Sequence, residues 1–378
     1  MSKKLSTLMA LLVIVTMLVA ACGATPEPAP EPTQAETQPE PTQAEAQPEP
    51  TQAEVQPEPT AEEAQPEPTA VPEEPEPEPA GDAATKPPKI YAVQHALCAW
   101  DSFWCTVEDG LKTAGDQMGV EVTILGPDKF DLEKVAQLIE QAVAAQPDGL
   151  ALTVTDADLF RAPIEKALDA GIPVVGYNAG NGPVVDGIDY MTYLGQDEYQ
   201  GGYLGGMRLA ADGGTAGVCI NQQVGHTGLD RRCQGFVEAL TELGIDAEVL
   251  AISDDPASSQ TVISDYYTAN PDTDLFLTLG PNGANPFYAF MDAEGLAPGD
   301  IKHGTFDLSP EIIAKIKDGT SMFGIDQQPF LQGYGAVMTL MLNVRYGVSS
   351  AVPVTATGPG FVDLTNVEVV ESLAGQYR

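Results

Sequence analysis

Gly149-Leu150-Ala151-Leu152-Thr153-Val154, then Ala157 to Ala170, then Ile172-Pro173-Val174-Val175-Gly176-Tyr177, is the passage that decides the fold. Two apolar runs too short for helices flank a segment of helical length, the pattern of two buried strands and a covering helix. Upstream, Ile90–His95 and Val120–Leu125 read as strands, with helices over Cys105–Met118 and Asp131–Ala145. In the latter, Leu132, Val135, Leu138, Ile139 and Val143 share one face. Downstream, strands are predicted at Ala216–Asn221, Ala247–Ile252, Leu275–Leu279, His303–Phe306 and Met322–Asp326. Helices fall between and after them at Leu229–Leu243, Gln260–Ala269, Asn285–Glu294, Ser309–Asp318 and Leu331–Tyr346. Such alternation means βα units and parallel sheets covered on both faces. One sheet of so many strands is improbable, so two doubly wound α/β lobes are expected. Ligands of such sheets bind beyond the carboxyl ends of the strands.

Ahead of this domain the chain changes character. Lys3 and Lys4, the apolar run Leu8–Ala21 and the small residues before Cys22 describe a secretory signal over residues 1–21. Small residues directly before a cysteine resemble a bacterial lipobox, which implies that Cys22 is lipidated, with Val19 where leucine is usual. From residue 22 to 89 a nine-residue unit recurs, beginning at Glu31, Glu40 and Glu49 and degrading from Glu58. Eighteen of the 32 prolines and sixteen of the 55 acidic residues lie between Gly23 and Lys89. With almost no large apolar side chains, the segment cannot offset its chain entropy and reads as a tether. At about 3.1 Å per residue it would reach roughly 200 Å at full stretch.

The total net charge is −38, of which −26 belongs to residues 90–378. So negative a surface excludes nucleic acid, whose phosphates reward basic patches, and excludes docking on anionic lipid except through the anchor. No Gly-x-Gly-x-x-Gly or phosphate loop follows a strand, and no Gly-x-Ser-x-Gly elbow occurs. His95, His226 and His303 are not at metal-ligand spacing, so neither metal nor cofactor is expected. Gly201-Gly202 and Gly205-Gly206 read as a small-residue helix face for close packing. Setting Cys22 aside, the remaining cysteines allow three pairings. Cys98–Cys105 and Cys219–Cys233 are expected, because each staples a strand to its following helix.

The residues just after the strands are rich in planar polar groups and aromatic rings. They include Trp100-Asp101-Ser102-Phe103-Trp104, Asn178, Gly225–Arg232, Gly280–Gly283, Phe306-Asp307 and Asp326–Pro329. Rings suit the C–H face of a polyol, and Asp, Asn, Arg and Gln suit its adjacent hydroxyls.

Taken in order, these segments resemble the ribose/galactose type of periplasmic sugar-binding protein, the solute receptor of ABC importers. The resemblance rests on Asp101–Gly110, Gly171-Ile-Pro-Val-Val175, Gln196-Asp197 with Gly201-Gly202, Phe306-Asp307, Asp318-Gly319 and Gln327-Gln-Pro329 with Gly333. It implies a type I binding protein with lobes joined by a three-segment hinge. Lobe one would be 90–196 with 328–356, and lobe two 197–327 with 357–378. It also implies a ligand set: Asp101, the stacking rings Phe103 and Trp104, Asn178, Asp307 and Gln327. Asp230 aligns with the family's usual arginine, with Arg232 two positions on, and Asn282 lies near Gly280, where the family has asparagine. The function implied is that of a monomeric lipoprotein at the cell surface or in the periplasm. It would bind a neutral sugar or polyol and present it to a permease. A same-fold receptor for a nucleoside or signalling molecule, and a sugar-modifying enzyme using two carboxylates, are the alternatives.

Overall fold

A computed structural model describes residues 86–378; the signal segment, Cys22 and nearly all of the tether lie outside the described residues. The first sheet begins with β1 (Lys89–Val93), β2 (Glu121–Leu125), β3 (Gly149–Leu152), β4 (Val174–Tyr177) and β5 (Tyr193–Gln196). Between them run α1 (Phe103–Met118), α2 (Leu132–Ala144), α3 (Ala157–Asp169) and the short α4 (Pro183–Asp186). Helix α5 (Glu198–Leu209) then leads to β6 (Ala216–Asn221), β7 (Asp246–Ala251), β8 (Leu275–Thr278), β9 (Lys302–Phe306) and β10 (Phe323–Asp326). These alternate with α6 (Thr227–Glu242), α7 (Pro256–Ala269), α8 (Pro281–Glu294) and α9 (Pro310–Lys317). The chain closes with α10 (Pro329–Tyr346), β11 (Val354–Gly358), β12 (Gly360–Val362) and α11 (Val367–Val370).

Two six-stranded sheets result, in the orders β11-β5-β4-β3-β1-β2 and β12-β10-β9-β8-β6-β7. The two orders correspond strand for strand, so each lobe repeats the other's plan. This is the expected two-lobed, doubly wound α/β fold. The chain passes between the sheets after β5, after β10 and between β11 and β12. Each sheet is covered on both faces. Ile90 and Ala92 pack under α1 and α10, whereas Val93 faces Val135, Ile139 and Ile164 of α2 and α3, as the period of a strand requires. In the second lobe, Val218 and Ile220 pack with α8 and α9, and Cys219 packs under α6.

All pairs are parallel except β10–β12, where the expectation of parallel sheets fails. Gly358 pairs with Gln196 at the carboxyl end of β5, and Gly360 pairs with Asp326 at the carboxyl end of β10. The chain therefore enters the second sheet at its carboxyl edge and must run down it. Sequence periodicity also missed β5, which contains Gly195, and much of α5, which contains Gly201, Gly202, Gly205 and Gly206. Tertiary contact explains the glycines: a Cβ on Gly202 would overlap the carbonyl of Arg232 in α6. The mirrored contact joins α10 to α1, where a Cβ on Gly333 would overlap the Val107 carbonyl.

Both expected disulfides are present. Cys98–Cys105 spans the loop into α1 with Cα atoms 4.4 Å apart, and Cys219–Cys233 ties β6 to α6 with Cα atoms 5.4 Å apart. Among the described residues, no helix is long and apolar enough to cross a membrane.

Candidate ligand-binding cleft

The carboxyl ends of the two sheets face one another across a polar cavity. Of the residues singled out in the sequence, Asp101, Phe103, Trp104, Asn178, Arg232, Asp307 and Gln327 line it. Asp230 and Asn282 do not. Helix α6 begins after its cap His226, and Leu229, Arg232 and Cys233 turn inward at helical spacing. Asp230 falls outside that arc, is exposed, and accepts a hydrogen bond from Asn221 Nδ2 at 2.8 Å. Asn282 is the second residue of α8, and Gly280 and Pro281 line the wall there instead.

Backbone conformation aims two of the inward residues. Asn178 follows β4 with φ 61°, and Asp307 follows the corresponding β9 with φ 67°. Left-handed backbone is uncommon outside glycine but is tolerated by Asn and Asp. Asp307 Oδ1 accepts from Gln327 Nε2 at 2.6 Å, and Gln327 Oε1 accepts from Asn178 Nδ2 at 3.3 Å. One amide, at the end of β10, thus links the residues that end β4 and β9. Gln332 of α10 holds it from behind, donating to Gln327 Oε1 at 3.1 Å.

On the aromatic side, Phe103 and Trp104 meet edge to face with centroids 5.5 Å apart. Asp101 Oδ1 accepts from the Phe103 N–H at 3.1 Å, so this carboxylate helps start α1. Arg232 is buried against Glu198, with Nε–Oε2 at 2.6 Å and Nη2–Oε1 at 3.1 Å, and donates from Nη1 to the Leu279 carbonyl at 2.9 Å. Its guanidinium lies 4.2 Å over the Phe306 ring.

Several cavity residues escaped the sequence reading. His95 follows β1, and Gln222 and Gln223 follow β6, positions that the rule of strand ends would have found. His226 was visible only as a loop residue, yet its Nδ1 caps α6 by accepting from the Gly228 and Leu229 N–H groups at 3.1 and 3.3 Å. Nε2 must then carry the proton, and it donates to His95 Nε2 at 3.1 Å. His95 Nδ1 in turn donates to Thr153 Oγ1 at 3.1 Å. Both rings are neutral and clasp across the lobes, beside a second contact from Thr227 Oγ1 to the Thr155 carbonyl at 2.6 Å.

The electrostatics follow from burial. Asp307 is pushed up to about 7 by desolvation and by Asp101 and Glu198, against the pull of Arg232 and Gln327. Desolvation pushes Asp101 up to about 6, opposed by its bond from Phe103. Burial holds His226 down to about 3, with Arg232 adding to it, and depresses His95 well below the usual range. Burial works against the charge of Arg232, but Glu198 outweighs it. Gln222 Oε1 is buried and has no hydrogen-bond partner among the described residues. The free space in the cavity is small, about 30 Å³. Among the described residues, no group of three or more His, Cys, Asp or Glu side chains is placed to hold a metal ion.

The chain is similar to known proteins. The solved carbohydrate transporter of Acidothermus cellulolyticus, in complex with myo-inositol, is 32% identical with a TM-score of 0.70, over 76% of this chain and 98% of that one. The xylose/arabinose-binding protein XylF of Sulfolobus acidocaldarius is 26% identical over 296 residues, 74% of this chain and 72% of the relative. The D-ribose/D-allose-binding protein of Pseudomonas aeruginosa is 25% identical over 263 residues, 67% of this chain and 81% of the relative. A family model described as a periplasmic binding protein domain matches residues 99–347, from the loop before α1 to the end of α10. With two doubly wound lobes of matching strand order meeting at a polar cavity, the chain belongs to the periplasmic binding protein family.

Proposed function

We propose that the protein is an extracytoplasmic receptor that closes on a neutral polyhydroxylated ring, a monosaccharide or cyclitol, and presents it to an ABC permease. One observation carries this reading: both lobes send polar side chains from their strand ends into one cavity walled by Phe103 and Trp104. The lining is rich in acceptors, with Asp101, Asp307 and Gln222 Oε1 suited to hydroxyl donors, while Arg232 supplies donors. The relatives named for their ligands point the same way, since xylose, arabinose, ribose, allose and myo-inositol are all neutral polyols. Asp101, Phe103, Trp104, Asn178, Arg232, Asp307 and Gln327 are assigned to the ligand, and Asp230 and Asn282 are not. Ligand bound to both lobes favours the closed arrangement through contacts absent when they separate. Anchoring rests on the sequence alone: lipid on Cys22 would hold the receptor at the membrane, with the proline- and glutamate-rich segment as its spacer.

Mass spectrometry of small molecules released from the denatured purified protein tests the ligand class. An intact neutral polyol is expected; a hydrolysed or modified product would favour an enzyme. By calorimetry with that polyol, Asp307→Ala and Trp104→Ala each lower affinity by about 100-fold or more, as lost charged hydrogen bonds and aromatic burial require. Circular dichroism should remain native. Unchanged affinity in both variants overturns the site.

A further inference from the structure

Arg232 is the cationic side chain in the cavity lining, and its carboxylate partner stands behind it rather than in the lining. Glu198 lies in the first turn of α5, immediately after the chain crosses from the first sheet, and is only 3% exposed. It grips Arg232 at Nε and Nη2, and its Oε2 also accepts from Gln196 Nε2 at 2.7 Å. The Leu279 carbonyl takes one Nη1 hydrogen, and the Phe306 ring covers one face of the guanidinium. A guanidinium has five N–H donors, so the protein holds one each on Nε, Nη1 and Nη2. One N–H on each Nη remains, on a guanidinium whose charge Glu198 has already matched.

We infer that Glu198 is a specificity-determining positioning residue: by fixing and neutralising Arg232 it restricts the cleft to uncharged polyols and excludes sugar acids. The inference rests on the polyol reading of the same site. An unmatched guanidinium at this depth would recruit an anion, because buried charge is costly until paired. With Glu198 in place, an entering carboxylate meets Asp101, Asp307 and Glu198 against one arginine.

Calorimetry on the purified full-length protein tests this with myo-inositol, D-xylose, D-ribose, D-arabinose and D-glucuronate. Wild type should bind at least one neutral member and show no heat with D-glucuronate. Glu198→Gln should weaken the neutral ligand about tenfold or more, as expected for a lost charge-assisted pair, and acquire measurable D-glucuronate binding. A purely structural role would not produce that gain. Wild type that binds no neutral member overturns the polyol reading itself. Wild-type binding with an unaltered profile in Glu198→Gln overturns the role of Glu198 alone. Should Glu198→Gln fail to melt cooperatively, the double variant Glu198→Gln/Arg232→Gln removes the buried ion pair as a whole and leaves neither partner stranded. It should fold, bind the neutral ligand more weakly and gain no D-glucuronate; wild-type neutral affinity or a gain of D-glucuronate there overturns the inference.

Discussion

At the scale of single residues, Asn178 and Asp307 share a place in the two lobes and a left-handed backbone. Strain of this kind, of order 1–3 kcal/mol, persists where the surroundings over-determine it. Here hydrogen bonds to Gln327 and the adjoining sheets do so. Asp307 also carries a pH signature. Its folded pKa of about 7 lies above the unfolded value, so it binds a proton more readily in the folded state. Its contribution is fully present below about pH 4 and is lost as pH rises through 7. Asp307→Asn removes that loss. The variant's melting temperature relative to wild type should therefore rise between pH 4 and pH 8; a constant difference across that range would contradict the raised pKa. Asp307, Asn178 and Gln327 were legible because each directly follows or nearly follows an apolar run. Asp230 and Arg232 were not separable, since helical phase depends on where α6 starts, and a histidine ring capping a helix gave no recognisable start signal.

At the scale of elements, the long amphipathic helices and the buried strands β3, β4, β6 and β8 could be read from periodicity. Helices α7 and α8 begin earlier than predicted, at Pro256 and Pro281, where proline at the first helical position marks the start. Helix α5 was hard to read because its glycines serve another helix. Gly202→Ala would drive α5 from α6 and should cost about 1–3 kcal/mol, as overpacking does. Denaturant titration measures this. Helix α6 is also tied to β6 by Cys219–Cys233, separated by 14 positions. Replacing both cysteines by serine should cost about 3 kcal/mol in the chain-entropy picture, read from the same titration.

At the scale of the molecule, direct bonds between the two similar lobes include His226–His95 and Thr227–Thr155, beside those that Gln327 makes to Asn178 and Gln332. His226→Asn keeps a residue suited to capping α6 while removing the bond to His95. By X-ray scattering, the ligand-free variant should be more expanded than wild type, and its affinity about tenfold lower, the scale of one lost hydrogen bond. Equal dimensions would show that the clasp carries no closure energy. Acid acts on the same contact. In the closed form both imidazoles are held neutral, so parting the lobes restores their proton affinity and acid favours opening. Arg232 faces the pair and reinforces this, whereas Asp101 and Asp307 take up protons on closure and oppose it. Shifting from pH 7 to pH 5 should thus open His226→Asn less than it opens wild type.

The sequence by itself determined the class of fold, the stapling disulfides and seven of the residues that line the cavity. Each is a local matter of apolar period, cysteine placement and the residue after a strand. Only the tertiary structure decided which polar groups face the cavity and which merely support them. Glu198 and Arg232 are 34 positions apart, and His95 and His226 are 131 apart. Nothing in their local sequence records the partner, because the first pairing is made by α5 packing against α6 within one lobe and the second by the two lobes meeting.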